Sequence, residues 1–190
     1  MPAIGFPIRA PGYMTATAMS ATSPDTATVD AARAGDGEAF GHLYAAYARM
    51  VHGILMARVP PDEVDDLVQD VFLAAFRKVH TLRDAAAFGP WLAMITRNRA
   101  NDFHRHKPET AELPEDIVAA DRTEAEAAAI LALIQTLPDA YRETLVLRLV
   151  EGMTGPEIAQ RTGLTAASVR VNLHRGMKRL REKLGGGRHE

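Results

Sequence analysis

The 190-residue chain contains no cysteine. That absence excludes a disulfide scaffold, a thiolate zinc site and a cysteine nucleophile, and it fits a reducing compartment. Nowhere does an apolar run approach the roughly 18 residues that a membrane span requires. The first residues, MPAIGFPIRAPGYMTATAMSATSPD, lack a basic start followed by a continuous apolar stretch, so they do not read as a secretory signal. There is no phosphate-binding glycine loop, metal-ligand cluster or nucleophile–base arrangement, so neither enzyme chemistry nor a cofactor is expected. No alternating strand pattern competes with helix, no internal repeat occurs, and no dimerisation heptad stands out. A cytoplasmic, all-α protein is the expectation.

What is present is a core and a partitioned charge. Apolar residues make up 47% of the chain, enough to bury an interior, while the net charge is only -2. Met1 to about Thr28 is rich in Ala, Thr, Ser and Pro without a period, and reads as a disordered tail (1–28) in which Met14 and Met19 are alternative starts. From Asp36 onward Phe40, Leu43, Tyr44, Tyr47, Val51, Ile54 and Leu55 recur at helical steps. Pro60-Pro61 ends that helix and Asp62 is placed to cap the next, whose inward stripe is Val64, Leu67, Val68, Val71, Phe72, Ala75 and Phe76. HTLRDAAAF reads as a loop, and a third helix starts near Pro90. Together these make an N-terminal helical bundle (29–107).

The segment 108–124 is acidic and carries two prolines, as a linker does. A helix resumes near Thr123, which with Glu126 has capping-box spacing. DAYRETLVLRLVEGM is the next helix, with Tyr141, Leu145, Leu149 and Val150 inward and an end near Gly152. This C-terminal unit (125–190) is small, and its core gains stability by docking on a larger surface.

Charge divides along the chain. Asp62, Glu63, Asp65, Asp66 and Asp70 make the second helix acidic. Arg97, Arg99, Arg105 and Lys107 make the end of the third basic, and Arg170, Arg175, Lys178, Arg179, Arg181 and Lys183 do the same for the last. The acidic linker lies between the two basic helices and is a candidate to shield them.

TGPEIAQRTGLTAASVRVNLHRGMKRL, from Thr154 to Leu180, reads as a helix-turn-helix. Ala159 is small where the second helix crosses, and Gly163 suits a turn that needs positive φ. Ile158, Leu164 and Val169 anchor the turn, and Thr165 caps the second helix. Val169, Leu173, Gly176 or Met177, Leu180 and Leu184 face inward, which leaves Ser168, Arg170, Val171, His174, Arg175 and Lys178 outward. Such a row suits the major groove of duplex DNA, where each bidentate arginine–guanine pair is worth about 1–3 kcal/mol of discrimination. Lys178 and Arg179 are placed for phosphates, which give affinity without sequence. The plainer alternative is a structural hairpin with a solvated basic face. His104 and His106 do not make a metal pair, since alternate residues of a helix do not share a face.

Two pairs of segments carry a family resemblance. DDLVQDVFLAAFRKV with FGPWLAMITRNRANDFHRH resembles region 2 of bacterial sigma factors, and LPDAYRETLVLRLVEGM with the helix-turn-helix and REKL resembles region 4. Their order, with a linker and no domain between, resembles the extracytoplasmic-function (ECF) group. The resemblance implies a promoter-specificity subunit of core RNA polymerase. Leu67, Gln69 and Asp70 would dock on the polymerase clamp helices. Leu82, Arg83, Asp84, Ala85 and Asn98 would read the minus-ten promoter element as unpaired bases. Trp91 would support the edge of melting, and Arg97, Arg99, Arg105 and Lys107 would hold the backbone. Ser168, Arg170, Val171, His174, Arg175 and Lys178 would read the minus-thirty-five element. An anti-sigma factor is the further partner implied.

The sequence departs from the family at several points. Leu92 follows Trp91, which implies weaker strand opening. Val171 and Asn172 stand where the family often has Ser and Arg, and Gly176 replaces a common Ala at a helix cost of about 1 kcal/mol. Trp91 and Phe88 also fit a plain core role. The competing readings are a free-standing helix-turn-helix regulator and an interaction module that kept the fold without promoter function.

Overall fold

A computed structural model describes residues 26–106 and 122–186. Most of the expected tail and linker, including the proposed shielding segment, lies outside the described residues. Eight α-helices and no strand occur among the residues described. They are α1 (Thr26–Arg33), α2 (Gly37–Met56), α3 (Val64–Lys78), α4 (Phe88–His106), α5 (Arg122–Gln135), α6 (Asp139–Leu149), α7 (Gly155–Thr162) and α8 (Ala166–Gly186). Two starts differ from expectation: α1 begins at Thr26, inside the tail segment, and α4 begins two residues before Pro90. Pro90 still lies in the first turn, where its missing N–H leaves no hydrogen bond unmade.

Local chemistry sets the early boundaries. The Asp36 carboxylate accepts from the backbone N–H groups of Glu38 and Ala39 at 2.9 and 3.1 Å and so caps α2. After α2, Pro60 and Pro61 force an extended entry into a single tight turn, Pro61–Glu63. Asp62 lies within that turn and does not cap α3, which begins without a side-chain cap. The first four helices pack around Leu43, Met50, Val51, Ile54, Leu55, Val71, Phe88 and Leu92, all buried. Phe76, expected inside, is half exposed and meets Phe40 edge-on with ring centroids 5.0 Å apart.

In the C-terminal unit, Ile134, Leu137, Leu145, Val146 and Leu180 form a second cluster, joined by Ala57 from the N-terminal unit. Helix α6 is buried on more than one face, since Glu143, Thr144, Leu145, Val146 and Leu147 are consecutive buried residues. A helix covered all round lies between neighbours. Here those neighbours are α2 on one side and α8 on the other. Of the four residues expected inward, Leu145 is buried, whereas Tyr141, Leu149 and Val150 are half-buried.

Leu147, Met153, Ile158 and Val169 join the same apolar cluster as α1–α4. The two units therefore close on one another, α6 against α2 and α7 against α4. At the close approaches the chain uses glycine. A Cβ on Gly53 would lie 2.8 Å from Leu147 Cδ2, and one on Gly176 would lie 3.0 Å from Leu145 Cδ1. The glycine in α8 thus admits α6, which offsets its low helix propensity.

Candidate nucleic-acid interface

The α7–α8 pair is built by three local devices. Thr154 and Glu157 form a capping box: the Thr154 N–H donates to Glu157 Oε2 at 2.7 Å, and the Glu157 N–H donates to Thr154 Oγ1 at 3.4 Å. The bond from the Thr154 backbone, with one from its hydroxyl, holds the Glu157 carboxyl below its ordinary range. Gly163 ends α7 at φ +77, and its N–H donates to the Ala159 carbonyl at 3.1 Å. Thr165 Oγ1 then accepts from the Ser168 N–H at 3.1 Å and starts α8. The capping box is legible as T-x-x-E but was not among the sequence expectations.

On α8, Val169, Gly176 and Leu180 are buried, while Ser168, Arg170, Val171, His174, Arg175 and Lys178 are all exposed along one outward row. Leu184, expected inward, is 47% exposed, because α8 runs past the end of its packing partners. The Ser168 hydroxyl is shared with the cap, 2.8 Å from Thr165 Oγ1. Beside the row lies a concavity of about 750 Å³, whose wall includes Thr136, Pro138 and Tyr141 and, from α8, Arg175, Lys178, Arg179 and Lys183 with one acid, Glu182. The Arg179 guanidinium lies 5.6 Å above the Tyr141 ring. Helical periodicity in α8 alone does not reveal this concavity, because its far wall belongs to the α5–α6 turn.

The second set lies on α4 and the loop before it. Arg83 and Asp84 are exposed and Ala85 is half-buried, whereas Leu82 faces the core. Asp84 accepts from the Ala86 N–H at 2.9 Å and shapes the Ala85–Ala87 turn. Trp91 is half-buried against Phe88, with ring centroids 5.7 Å apart. Asn98 is exposed. Arg105 is exposed and ion-paired with Asp102, and Arg99 pairs with Asp70 of α3. His104 and His106 point at different backbone carbonyls, those of Arg58 and Asp102. Arg97 turns toward the C-terminal unit, where its Nε and Nη2 donate to Glu143 at 3.1 and 2.7 Å.

Helix α3 carries the third set. Gln69 is exposed and Asp70 half-buried, but Leu67 is in the core at 7% exposure. Leu73 and Phe76 are about half exposed, at 47% and 50%, and follow Gln69 at steps of four and three. The outer face of α3 therefore offers apolar side chains beside the exposed carboxylates of Asp62, Asp65 and Asp66.

Between the units, His52 Nδ1 lies 2.7 Å from Glu151 Oε1. Burial disfavours the imidazolium, but the hydrogen bond and charge of Glu151, with Asp65 nearby, outweigh it and raise the His52 pKa. Arg161, also buried, donates to the Ala46 carbonyl and lies 5.5 Å from the centre of the Tyr47 ring. None of these contacts was expected from sequence.

Comparison with known proteins accords with the geometry. The family described as "Sigma-70 region 2" matches residues 43–108, and "Sigma-70, region 4" matches residues 127–180. The chain is 35% identical to the "Probable RNA polymerase sigma factor RfaY" of Xanthomonas campestris pv. campestris, over 80% of this chain and 42% of that protein. It is 31% identical to the "RNA polymerase sigma factor NccH" of Alcaligenes xylosoxydans xylosoxydans, over 85% of this chain and 95% of the relative. Identity to the "ECF RNA polymerase sigma-E factor" of Escherichia coli K12 is 25%, over 87% and 97%. The solved structure of CnrH, in complex with the cytosolic domain of CnrY, superposes with a TM-score of 0.63 at 26% identity, covering 85% of this chain and 97% of CnrH. Two adjoining regions in family order, with a near full-length relative above 30% identity, place the chain in the RNA polymerase sigma factor family, in its ECF group.

Proposed function

We propose that this chain, a promoter-specificity subunit of RNA polymerase, reads the upstream element as duplex through α8 and the downstream element as melted strand through α4. The observation that carries the reading is the exposed row Ser168, Arg170, Val171, His174, Arg175 and Lys178, set on a capped helix beside a basic concavity. Arg170 and Arg175 serve base edges, and Lys178 with Arg179 serves phosphates. In the downstream reader, Arg83, Asp84, Ala85 and Asn98 line the strand, Leu82 and Trp91 support it from below, and Arg97 and Arg105 hold its backbone. The polymerase clamp meets α3 at Gln69 and Asp70, and Leu67 sets the rotation of that helix from the core. Residues 29–107 form the first functional unit, 108–124 the linker and 125–190 the second.

The partners are core RNA polymerase, promoter DNA and an anti-sigma factor. The chain is not an enzyme; phosphodiester chemistry belongs to the polymerase. No helix among the described residues is long and apolar enough to cross a membrane, and the proposed site of action is the cytoplasm. The free-standing regulator is not favoured, because a region 2 match accompanies the helix-turn-helix in one chain. Run-off transcription with core polymerase over a promoter library tests the proposal. Promoter-specific transcripts that depend on this chain support it. Their absence, with tight duplex binding by the chain alone, would move the assignment to the free-standing regulator.

A further inference from the structure

The outward face of α4 carries more than the residues assigned to the strand. Trp91, Met94, Asn98, Asn101 and Arg105 follow one another at steps of three, four, three and four, so they form one stripe along the helix. The opposite stripe, Phe88, Leu92, Ala93, Thr96 and Ala100, is buried in the bundle. Met94 is 50% exposed, and Asn98, Asn101 and Arg105 are exposed as well. Trp91 and Arg105 therefore bracket a row of one thioether and two amides, about 16 Å long from Met94 to Arg105.

The chemistry of this row differs from that of a solvated helix face. Of the large apolar side chains exposed among the described residues, Met94 alone lies on α4. A single exposed apolar residue is ordinary on a protein surface. This one sits between an aromatic ring one turn before it and an amide one turn after. Its side chain is unbranched and its sulfur polarisable, so it lies against a ring face and adapts to the tilt of that ring. An unpaired base offers such a face, whichever base it is. The amides of Asn98 and Asn101 each present a donor and an acceptor, as a base edge does. Among the described residues neither amide is bound to another group, whereas Arg99 and Arg105 are tied to Asp70 and Asp102.

We infer that Met94 is an apolar seat for one unpaired base of the melted strand, and that Asn101 joins Asn98 in reading base edges. The inference rests on the reading of α4 as the strand contact and adds two residues to it. Met94 supplies affinity with little preference among bases, because every base has an apolar face. Asn101 supplies preference, because only some edges match its donor and acceptor. A paired base keeps its faces inside the stack, so Met94 favours the opened strand over the duplex and supports melting.

The test uses the full chain assembled with core polymerase and fluorescein-labelled DNA from a promoter that run-off transcription selects. One probe is each single strand of the downstream element, and the other is the duplex of the upstream element. Met94→Ala is expected to weaken binding of one strand by about five-fold or more and to leave upstream duplex binding unchanged. Met94→Leu, which stays apolar, is expected to recover most of the loss. Asn101→Ala is expected to flatten the preference at one position of that strand, read with single-base variants of the probe. Unchanged strand affinity in Met94→Ala, or a loss that Met94→Leu does not recover, would overturn the seat. Unchanged base preference in Asn101→Ala would overturn the added reader. Equal loss on both probes would move Met94 to a polymerase contact and overturn the seat as well. Run-off transcription by the parent chain separates the failures: specific transcripts with unchanged strand binding in both alanine variants sink only the inference, whereas no transcripts at any promoter sink the promoter reading.

Discussion

His52 on α2 and Glu151, just beyond α6, face each other across the two units, Nδ1 to Oε1 at 2.7 Å, although 99 residues separate them in sequence. Arg49 also approaches Glu151, at 3.8 Å, and Asp65 adds its charge from α3. The raised pKa of His52 makes closure depend on pH. The stabilising contribution is full below the ordinary histidine value of 6.5 and is lost as pH rises through the higher folded value. Melting temperature is expected to fall as pH rises above 6.5, and His52→Gln is expected to flatten that part of the profile. An unchanged slope in the variant would exclude His52 as its source.

The outward row of α8 divides by chemistry. Arg170→Ala or Arg175→Ala is expected to weaken upstream-element binding by about 1–3 kcal/mol and to relax preference at one base position. Lys178→Ala is expected to weaken all sequences alike and to reduce the slope of log affinity against log salt by about 1. Electrophoretic shifts of the polymerase complex on single-base promoter variants distinguish the two behaviours.

Removing the capping box isolates a local term. Thr154→Ala is expected to destabilise the chain by about 1 kcal/mol, measured by urea unfolding. The depressed Glu157 carboxyl contributes stability above its ordinary value of 4.5, which is lost as pH falls through the lower folded value. The acid limb of the stability profile should therefore shrink in Thr154→Ala.

Gly163 combines two demands, a φ of +77 and a Cβ position 3.0 Å from Pro90 Cβ. Gly163→Ala is expected to cost about 1–2 kcal/mol from backbone conformation alone. The contact with Pro90 adds to that figure, so the loss should shrink in Gly163→Ala with Pro90→Gly, which removes the Pro90 Cβ. A double-mutant cycle in chemical denaturation measures the difference.

Much of this was legible beforehand. Apolar steps of three and four placed the helices, Gly163 marked the turn, and the one-sided cations of α8 marked the outward row. Errors fell where a second neighbour decides burial. Phe76 sits on the rim of the α3 stripe, and Leu184 lies beyond the last packed turn of α8, so periodicity alone predicted burial that neither attains. Asp62 had the chemistry of a cap but was taken into a proline-started turn.

Sequence by itself determined the all-α class, the two-unit order, the helix-turn-helix and the charge partition, because these follow from local periodicity and turn chemistry. Only the tertiary structure decided that α6 is buried on both sides, that Gly53 and Gly89 receive the other unit, and that Arg97 meets Glu143. A helical repeat shows that a stripe will be covered but not by what. The covering group is chosen by packing between residues as far apart as Ala46 and Arg161, joined by a hydrogen bond across 115 positions.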